Sequence, residues 1–261
     1  MLGMLMVAGT CHLGAQEKAT GIPAGGRTDL IGLHYGPEGF IFQAAINTLY
    51  VERSGMPSPA LHLSLPGYLS TGNEAGHPAL PVKSILLEAH GGNDLRVRIT
   101  EMDSMVIDLR QHGFEEQIAP WEPSPRKGTI PAEPLANHEI YGVDAWVGPP
   151  LLTVDYGGIM RGLPVSTLYF SPFRYHPRKH QIKVYYNVRA VIDAGGPSGG
   201  PEIPSLAFSS VFERIVLQRS EQVKKAVFAE EPMTMVILSD SMFRQTLHPF
   251  VKWKTEKGFR V

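Results

Sequence analysis

The stretch from residue 182 to residue 193 carries the cleanest alternation in the chain, with Val191 as its one apolar residue on the polar side. Ile182, Val184, Tyr186, Val188, Ala190 and Ile192 share one side, and Lys183, Tyr185, Asn187, Arg189 and Asp193 take the other. Successive side chains of a strand point to opposite faces, so the pattern predicts a strand with one buried and one wet face. A wet face favours an antiparallel sheet, because parallel sheets are covered on both sides. Shorter stretches repeat the theme. Leu61-His62-Leu63-Ser64-Leu65 alternates and ends at Pro66-Gly67. Leu95, Val97 and Ile99 alternate with Arg96, Arg98 and Thr100, which predicts a half-buried strand with its charges outward. Val106-Ile107-Asp108-Leu109 reads as the next strand. The 27 Gly and 22 Pro are roughly a fifth of the 261 residues, against about an eighth in an average chain. Such punctuation breaks elements too often for a helical bundle. From about residue 30 to residue 193 the chain is therefore expected to be mainly β, an antiparallel β-sandwich.

Two breaks interrupt it. Pro120, Pro123, Pro125, Pro131 and Pro134 surround Trp121, Arg126 and Lys127. Proline lacks an amide proton and stiffens φ, so this stretch predicts an extended surface loop. Gly195-Gly196-Pro197-Ser198-Gly199-Gly200-Pro201 has the composition of a linker. Beyond it the period changes. Phe208, Val211, Phe212, Ile215 and Val216 recur at helical spacing. Met233-Thr234-Met235-Val236-Ile237-Leu238 predicts a fully buried strand, and Ser239-Asp240-Ser241 supplies N-cap chemistry. A helix with an apolar face follows through Met242-Phe243, Thr246-Leu247, Phe250-Val251 and Lys254, with Pro249 kinking it or opening its second half. Gly258 is expected as its C-cap, and Phe259-Arg260-Val261 as the start of another strand. Strand, helix and strand start make a βαβ opening. The expected layout is a signal segment at 1–15, a β-sandwich at 25–195, a linker and helix at 196–232, and an incomplete α/β unit at 233–261.

Composition removes several function classes. Lys plus Arg is 24 and Asp plus Glu is 25, a formal net charge of −1, without the basic excess that tracking phosphates requires. The single cysteine, Cys11, excludes an internal disulfide framework and Cys-rich zinc or iron–sulfur sites. Residues 1–8 are nearly all apolar, and a small-residue site ending at Gly14-Ala15 follows, as in the core and cleavage region of a signal peptide. The basic start is missing, which points to a start codon upstream. Export to the exterior or the cell surface is expected, since the segment is shorter than the ~20 apolar residues of a membrane span. Cys11 is a poor lipid-attachment site because Thr10 stands where Gly or Ala is usual.

Two groups of motifs remain. One is Leu61-His62-Leu63-Ser64-Leu65-Pro66-Gly67-Tyr68 followed by Gly76-His77-Pro78-Ala79-Leu80-Pro81-Val82. The other is 233–238, then Leu247-His248-Pro249-Phe250-Val251-Lys252-Trp253-Lys254 and Lys257-Gly258-Phe259-Arg260-Val261. Ser171-Pro172-Phe173-Arg174-Tyr175-His176-Pro177 lies between them. Together they resemble the precursors of gingipain-type cysteine peptidases. In that family a secreted β-sandwich propeptide with G-x-P-x-L-P and a P-x-x-Y-x-P turn precedes a caspase-like α/β catalytic domain opening with W-K-x-x-K-G. The resemblance runs in scattered motifs from about residue 30 to residue 261. It implies a propeptide that assists folding and keeps the enzyme latent, with the catalytic domain as its partner in cis. The family's catalytic His and Cys lie beyond the first βα unit. Cys11 and His12 fall in the signal segment, so no activity is expected from these residues, and no catalytic, cofactor or metal residue is assigned.

The family's preference for Arg or Lys before the cut implies a loop that offers such a side chain to an acidic pocket through charge-assisted bonds. Arg126 and Lys127, in the Pro-flanked loop, are the candidates. Arg219, Lys224 and Lys225 are the candidate processing sites between the two regions. His176 and His180 are four apart, but Pro177 intervenes and a zinc site needs three or four ligands, so they read as surface histidines. Gly195–Gly200 lacks the Lys-Ser/Thr of a phosphate cradle and reads as a linker. The alternative function is an exported adhesion or carbohydrate-binding sandwich, with Trp146, or Tyr185 with Tyr169, as an aromatic platform.

Overall fold

The computed structural model describes residues 19–36, 39–54, 59–72, 74–88, 95–123, 136–160, 163–193 and 234–261. Among these residues twelve strands run in chain order: β1 (Thr20–Pro23), β2 (Leu30–Gly36), β3 (Gly39–Ala45), β4 (Thr48–Arg53), β5 (Leu61–Ser64), β6 (Leu69–Thr71), β7 (Leu80–Glu88), β8 (Arg96–Asp108), β9 (Leu152–Met160), β10 (Leu163–Phe170), β11 (Phe173–His176) and β12 (Gln181–Asp193). Among the described residues two α-helices, α1 (His138–Gly142) and α2 (Arg244–Glu256), accompany them. The strands form three sheets, ordered β1-β4-β5, β6-β7-β10-β9 and β11-β12-β3-β2, and β8 joins the last by pairing with β12. Every named strand pair is antiparallel.

The alternation at 182–193 becomes β12. Ile182, Val184, Val188, Ala190 and Ile192 are buried, and Asn187, Arg189 and Asp193 are exposed. Tyr186 is only half-buried, because the register against β8 shifts between Tyr185 and Asn187. A bulge of this kind leaves one residue unpaired and sharpens the local twist. The two strands expected around Leu95 and Val106 are a single strand, β8, with a second register shift opposite Arg189/Ala190 that leaves Thr100 unpaired. The bulges conceal its continuity, since each one resets the two-residue period. Leu109 leaves the strand for a 3₁₀ turn, Leu109–His112, capped by the Asp108 carboxylate on the Arg110 amide.

The core draws on all three sheets, with Ile22, Leu49, Val51, Leu61 and Leu63 from the three-stranded one, and it joins the five-stranded sheet to the four-stranded one. Phe42 of β3 meets Phe170 of β10 edge to face, with centroids 5.1 Å apart, and both are fully buried. Leu33, Ala190 and Ile192 from one sheet and Ile85, Leu87 and Leu168 from the other belong to the same cluster. The architecture is an antiparallel β-sandwich.

Of the strand, helix and strand start expected in the C-terminal piece, the helix is present and the flanking residues form only an isolated bridge. The Asp240 carboxylate accepts from the Met242 amide at 2.9 Å, and α2 follows with Pro249 inside it. Gly258 (φ 88°) ends it. Thr234 and Arg260 form a parallel bridge, with the Met235 amide donating to the Arg260 carbonyl at 2.7 Å. The fully buried strand is not found, because Val236 is 81% and Leu238 98% exposed. The Lys254 ammonium of the W-K-x-x-K-G motif lies over the Trp253 ring (4.6 Å) and the Phe259 ring (4.9 Å). No helix among the described residues is long and apolar enough to cross a membrane.

The inter-sheet aromatic pair gives a direct test. Phe42→Ala and Phe170→Ala should each cost ~3–5 kcal/mol in urea unfolding. The double variant should cost less than the sum by ~0.5–1.5 kcal/mol, the worth of the edge-to-face contact.

Candidate functional site: the base of a basic loop

Arg126 and Lys127, Pro131 and most of the Pro-rich stretch lie outside the described residues, as do Arg219, Lys224 and Lys225 and the apolar residues at 208–216. What the structure does describe is where the basic loop leaves the sandwich and where it returns. Both points are the same residue. The Gly76 amide donates to the Trp121 carbonyl at 2.8 Å, and the Gly76 carbonyl accepts from the Asn137 amide at 2.9 Å. Residues 122–136 therefore depart and come back at one glycine.

The local sequence explains why this point is rigid. Gly76 has φ 81°, the left-handed region that costs a residue with a Cβ ~1–2 kcal/mol. The next residues pair with the outgoing strand of the loop. The Trp121 amide donates to the His77 carbonyl (2.7 Å), Pro78 bridges Pro120, and the Ala79 amide donates to the Ala119 carbonyl (2.9 Å). Leu80 is buried at the start of β7. The returning end is fixed by Asn137, whose side-chain oxygen caps α1 through the Glu139 (3.0 Å) and Ile140 (3.3 Å) amides. The motif Gly76-His77-Pro78-Ala79-Leu80-Pro81 is thus a clamp on the two ends of the loop.

A buried polar network lies beneath the clamp. The Tyr141 hydroxyl donates to the Ile118 carbonyl at 2.7 Å. The Tyr175 hydroxyl donates to Gln117 Oε1, and Gln117 Nε2 lies 3.2 Å from His180 Nε2. With its oxygen taken by the tyrosine, Gln117 presents its NH₂ to His180. This sets a neutral imidazole with its proton on Nδ1, an atom that is buried without a hydrogen-bond partner among the described residues. Burial, with the nearby Arg110 guanidinium, holds the His180 pKa below the ordinary histidine value, against the opposing pull of Glu115, the Glu116 backbone and Asp108. Burial also raises the Tyr175 and Tyr141 hydroxyls. Arg53 ties the network to β4 through Glu116 (2.7 Å) and the Gly113 carbonyl. Burial pushes the Glu116 carboxyl up, but its own amide and Arg53 outweigh that and hold it below the usual carboxylate range.

His176 and His180 are not surface histidines. They are 3% and 8% exposed. The 3₁₀ turn Pro177–Lys179 between them brings the chain back into β12, and His180 takes a left-handed φ of 52° at its end. His176 Nε2 sits 3.4 Å from Asp144 Oδ1, and its ring packs edge-on against Trp146 at 5.2 Å. No cluster of three or more metal-ligating side chains occurs among the described residues. The aromatic residues of the alternative reading are not brought together as an exposed platform. Trp146, Tyr169 and Tyr185 are each half-buried. Lys183 lies 4.8 Å over the Trp146 ring, and Tyr169 and Tyr185 belong to different sheets. Sequence reasoning missed Gln117, Tyr141 and Tyr175 as network residues. Their only signal was the Tyr of the P-x-x-Y-x-P turn.

No protein-family model matches the chain. A Lys-gingipain of Porphyromonas gingivalis (HG66) is 29% identical over 204 residues, which is 76% of this chain. The chain is gingipain-like. It spans 12% of that protein's length. Gingipain R2 of Porphyromonas gingivalis (strain ATCC BAA-308 / W83) is 19% identical over 72% of this chain and 26% of its own. The fold agrees. A chain from a structure concerning the zymogenic latency of gingipain K of Porphyromonas gingivalis superposes with a TM-score of 0.63 at 24% identity, covering 69% of this chain and all of that one. A chain from the complex of Porphyromonas gingivalis RgpB pro- and mature domains superposes with a TM-score of 0.56 at 16% identity, covering 72% and 96%.

Two outcomes are expected. Gly76→Ala should destabilise the gingipain-like fold by ~1–2 kcal/mol in urea, because the left-handed φ is retained only under strain. For His180, the unfolded imidazole takes a proton near pH 6.5 and the folded one only at lower pH. Its contribution to stability is therefore complete above about pH 6.5 and drains as pH falls below it. His180→Asn, which tolerates the left-handed backbone, should flatten the urea-midpoint profile between about pH 7 and 5.

Proposed function

We propose that this chain is the propeptide region of an exported gingipain-like cysteine endopeptidase precursor, with residues 233–261 leading into its α/β catalytic domain. Residues 1–15 serve export. The sandwich assists folding and holds the enzyme latent. Arg126 or Lys127 enters the acidic specificity pocket from the Pro-rich loop, and cleavage after Arg219, Lys224 or Lys225 releases the peptidase. The observation that carries this reading is the clamp at Gly76. A loop whose two ends meet on one rigid residue has little freedom left at its base, and proline stiffens the rest, so less entropy is lost on docking. The structures similar in fold support the role, since one concerns zymogenic latency and the other is a complex between pro- and mature domains.

The test is inhibition of an Arg- or Lys-specific peptidase of the gingipain type by the purified chain. Arg126→Ala with Lys127→Ala should weaken inhibition by about 30-fold or more, equivalent to ~2 kcal/mol for a truncated buried charge pair, while leaving the unfolding midpoint unchanged. Unchanged inhibition removes the assignment of these two residues, and no inhibition by the intact folded chain removes the propeptide reading itself.

A further inference from the structure

Strand β8 turns a row of apolar side chains toward the inner face of its sheet and leaves part of that row in water. The register sets Val97 opposite Ile192, Ile99 opposite Ala190, Met102 opposite Val188 and Met105 opposite Val184. All four β12 partners are buried, none more than 3% exposed. The cover ends one strand short, because Ile99 is 43% and Met102 49% exposed. The edge strand of the facing sheet that approaches β8 is β9. It adds Tyr156, opposite the buried Ser166 and 41% exposed, and Ile159, 65% exposed. These residues form an apolar flange where the two sheets end, without cover among the described residues.

We propose that residues 208–216 of this same chain dock on the flange, with Phe208, Val211, Phe212 and Ile215 facing Ile99 and Met102. Four observations select this occupant. The described chain leaves the sandwich at Asp193, opposite Arg96, so it departs at the end of the β8–β12 ribbon next to Val97 and Ile99. Met102 lies six residues along β8 from that exit, ~20 Å at a strand's rise, and the stretch 194–207 reaches up to ~45 Å when extended. That stretch is mostly Gly, Pro and Ser up to residue 205 and offers little apolar area of its own. The first dense apolar periodicity after it is the one at 208–216, at the spacing that puts one stripe on a helix. A continuous chain presents this stripe to the flange at a high effective concentration, which a free partner lacks. The inference rests on no part of the inhibitory reading. Its consequence is that Arg214 and Arg219 are held beside the sandwich.

Methionine oxidation by hydrogen peroxide on the full chain, read by mass spectrometry, tests it. Met242, which is 74% exposed, is the internal reference. Met102 should oxidise about tenfold more slowly than Met242, and Phe208→Asp with Phe212→Asp should bring it up to the Met242 rate. Ile99→Asp, at an exposed position that leaves folding intact, should speed tryptic cleavage after Arg214 and Arg219 by a similar factor. Met102 oxidising as fast as Met242 in the unaltered chain overturns the proposal. So does protection that survives Phe208→Asp/Phe212→Asp, or cleavage rates indifferent to Ile99→Asp. Protection lost on dilution also overturns it, in favour of a second copy as the occupant.

Discussion

Strand β12 is hydrogen-bonded along both edges, and the rest of the sandwich is arranged around that. One edge carries β8 over nearly its whole length, and the other carries β11 and then β3. A strand with neighbours on both sides has one inner face to bury, and β12 buries it with Ile182, Val184, Val188, Ala190 and Ile192. The hand-over from β11 to β3 falls at the Tyr186 bulge, where the Tyr186 carbonyl accepts from the Ile46 amide at 2.9 Å. The bulge lets one strand serve two partners on the same edge. Beyond it, Phe42 on β3 meets Phe170 on the facing sheet, so the inter-sheet packing follows from the pairing of β12.

The parts of this design that depend on one short stretch could be read from the sequence. The faces of β12, the Asp240 N-cap, the Gly258 ending and the β5 alternation all follow from neighbours within a few residues. The parts that depend on distant neighbours could not. β8 was expected as two strands because its register shifts are imposed by β12, some 85 residues away in sequence. His176 and His180 look like exposed turn residues, and become buried only because Gln117, Asp144 and Trp146 arrive from elsewhere. The stretch at 233–238 reads as a buried strand because its residues are apolar, but among the described residues nothing closes over Val236 and Leu238. At the candidate site, the motif Gly76-His77-Pro78-Ala79-Leu80-Pro81 was visible as a pattern, and its task as a clamp on residues 121 and 137 was not.

The polar network under the clamp differs in character from the apolar core. Hydrophobic packing is tolerant in direction, whereas the chain from Tyr175 through Gln117 to His180 has a defined sense, each group's role set by the one before. Such a network fixes the height and orientation of residues 117–118, and these pair directly with Leu61. The apolar core thus supplies most of the cohesion, and the network sets where the loop base sits on it. A polar chain of this kind is costly if half-satisfied, and the buried Nδ1 atom of His180, without a partner among the described residues, is where this one is left so.

The meeting of both loop ends on Gly76 has a consequence for how such chains diversify. Closing a loop costs entropy that grows only with the logarithm of its length, about 0.6 kcal/mol per doubling. When the two ends are already held by backbone hydrogen bonds to one residue, insertions or deletions between 122 and 136 leave the sandwich register untouched. Length and composition of that excursion become nearly free variables. One β-sandwich can therefore carry excursions of different length and composition without a change of fold.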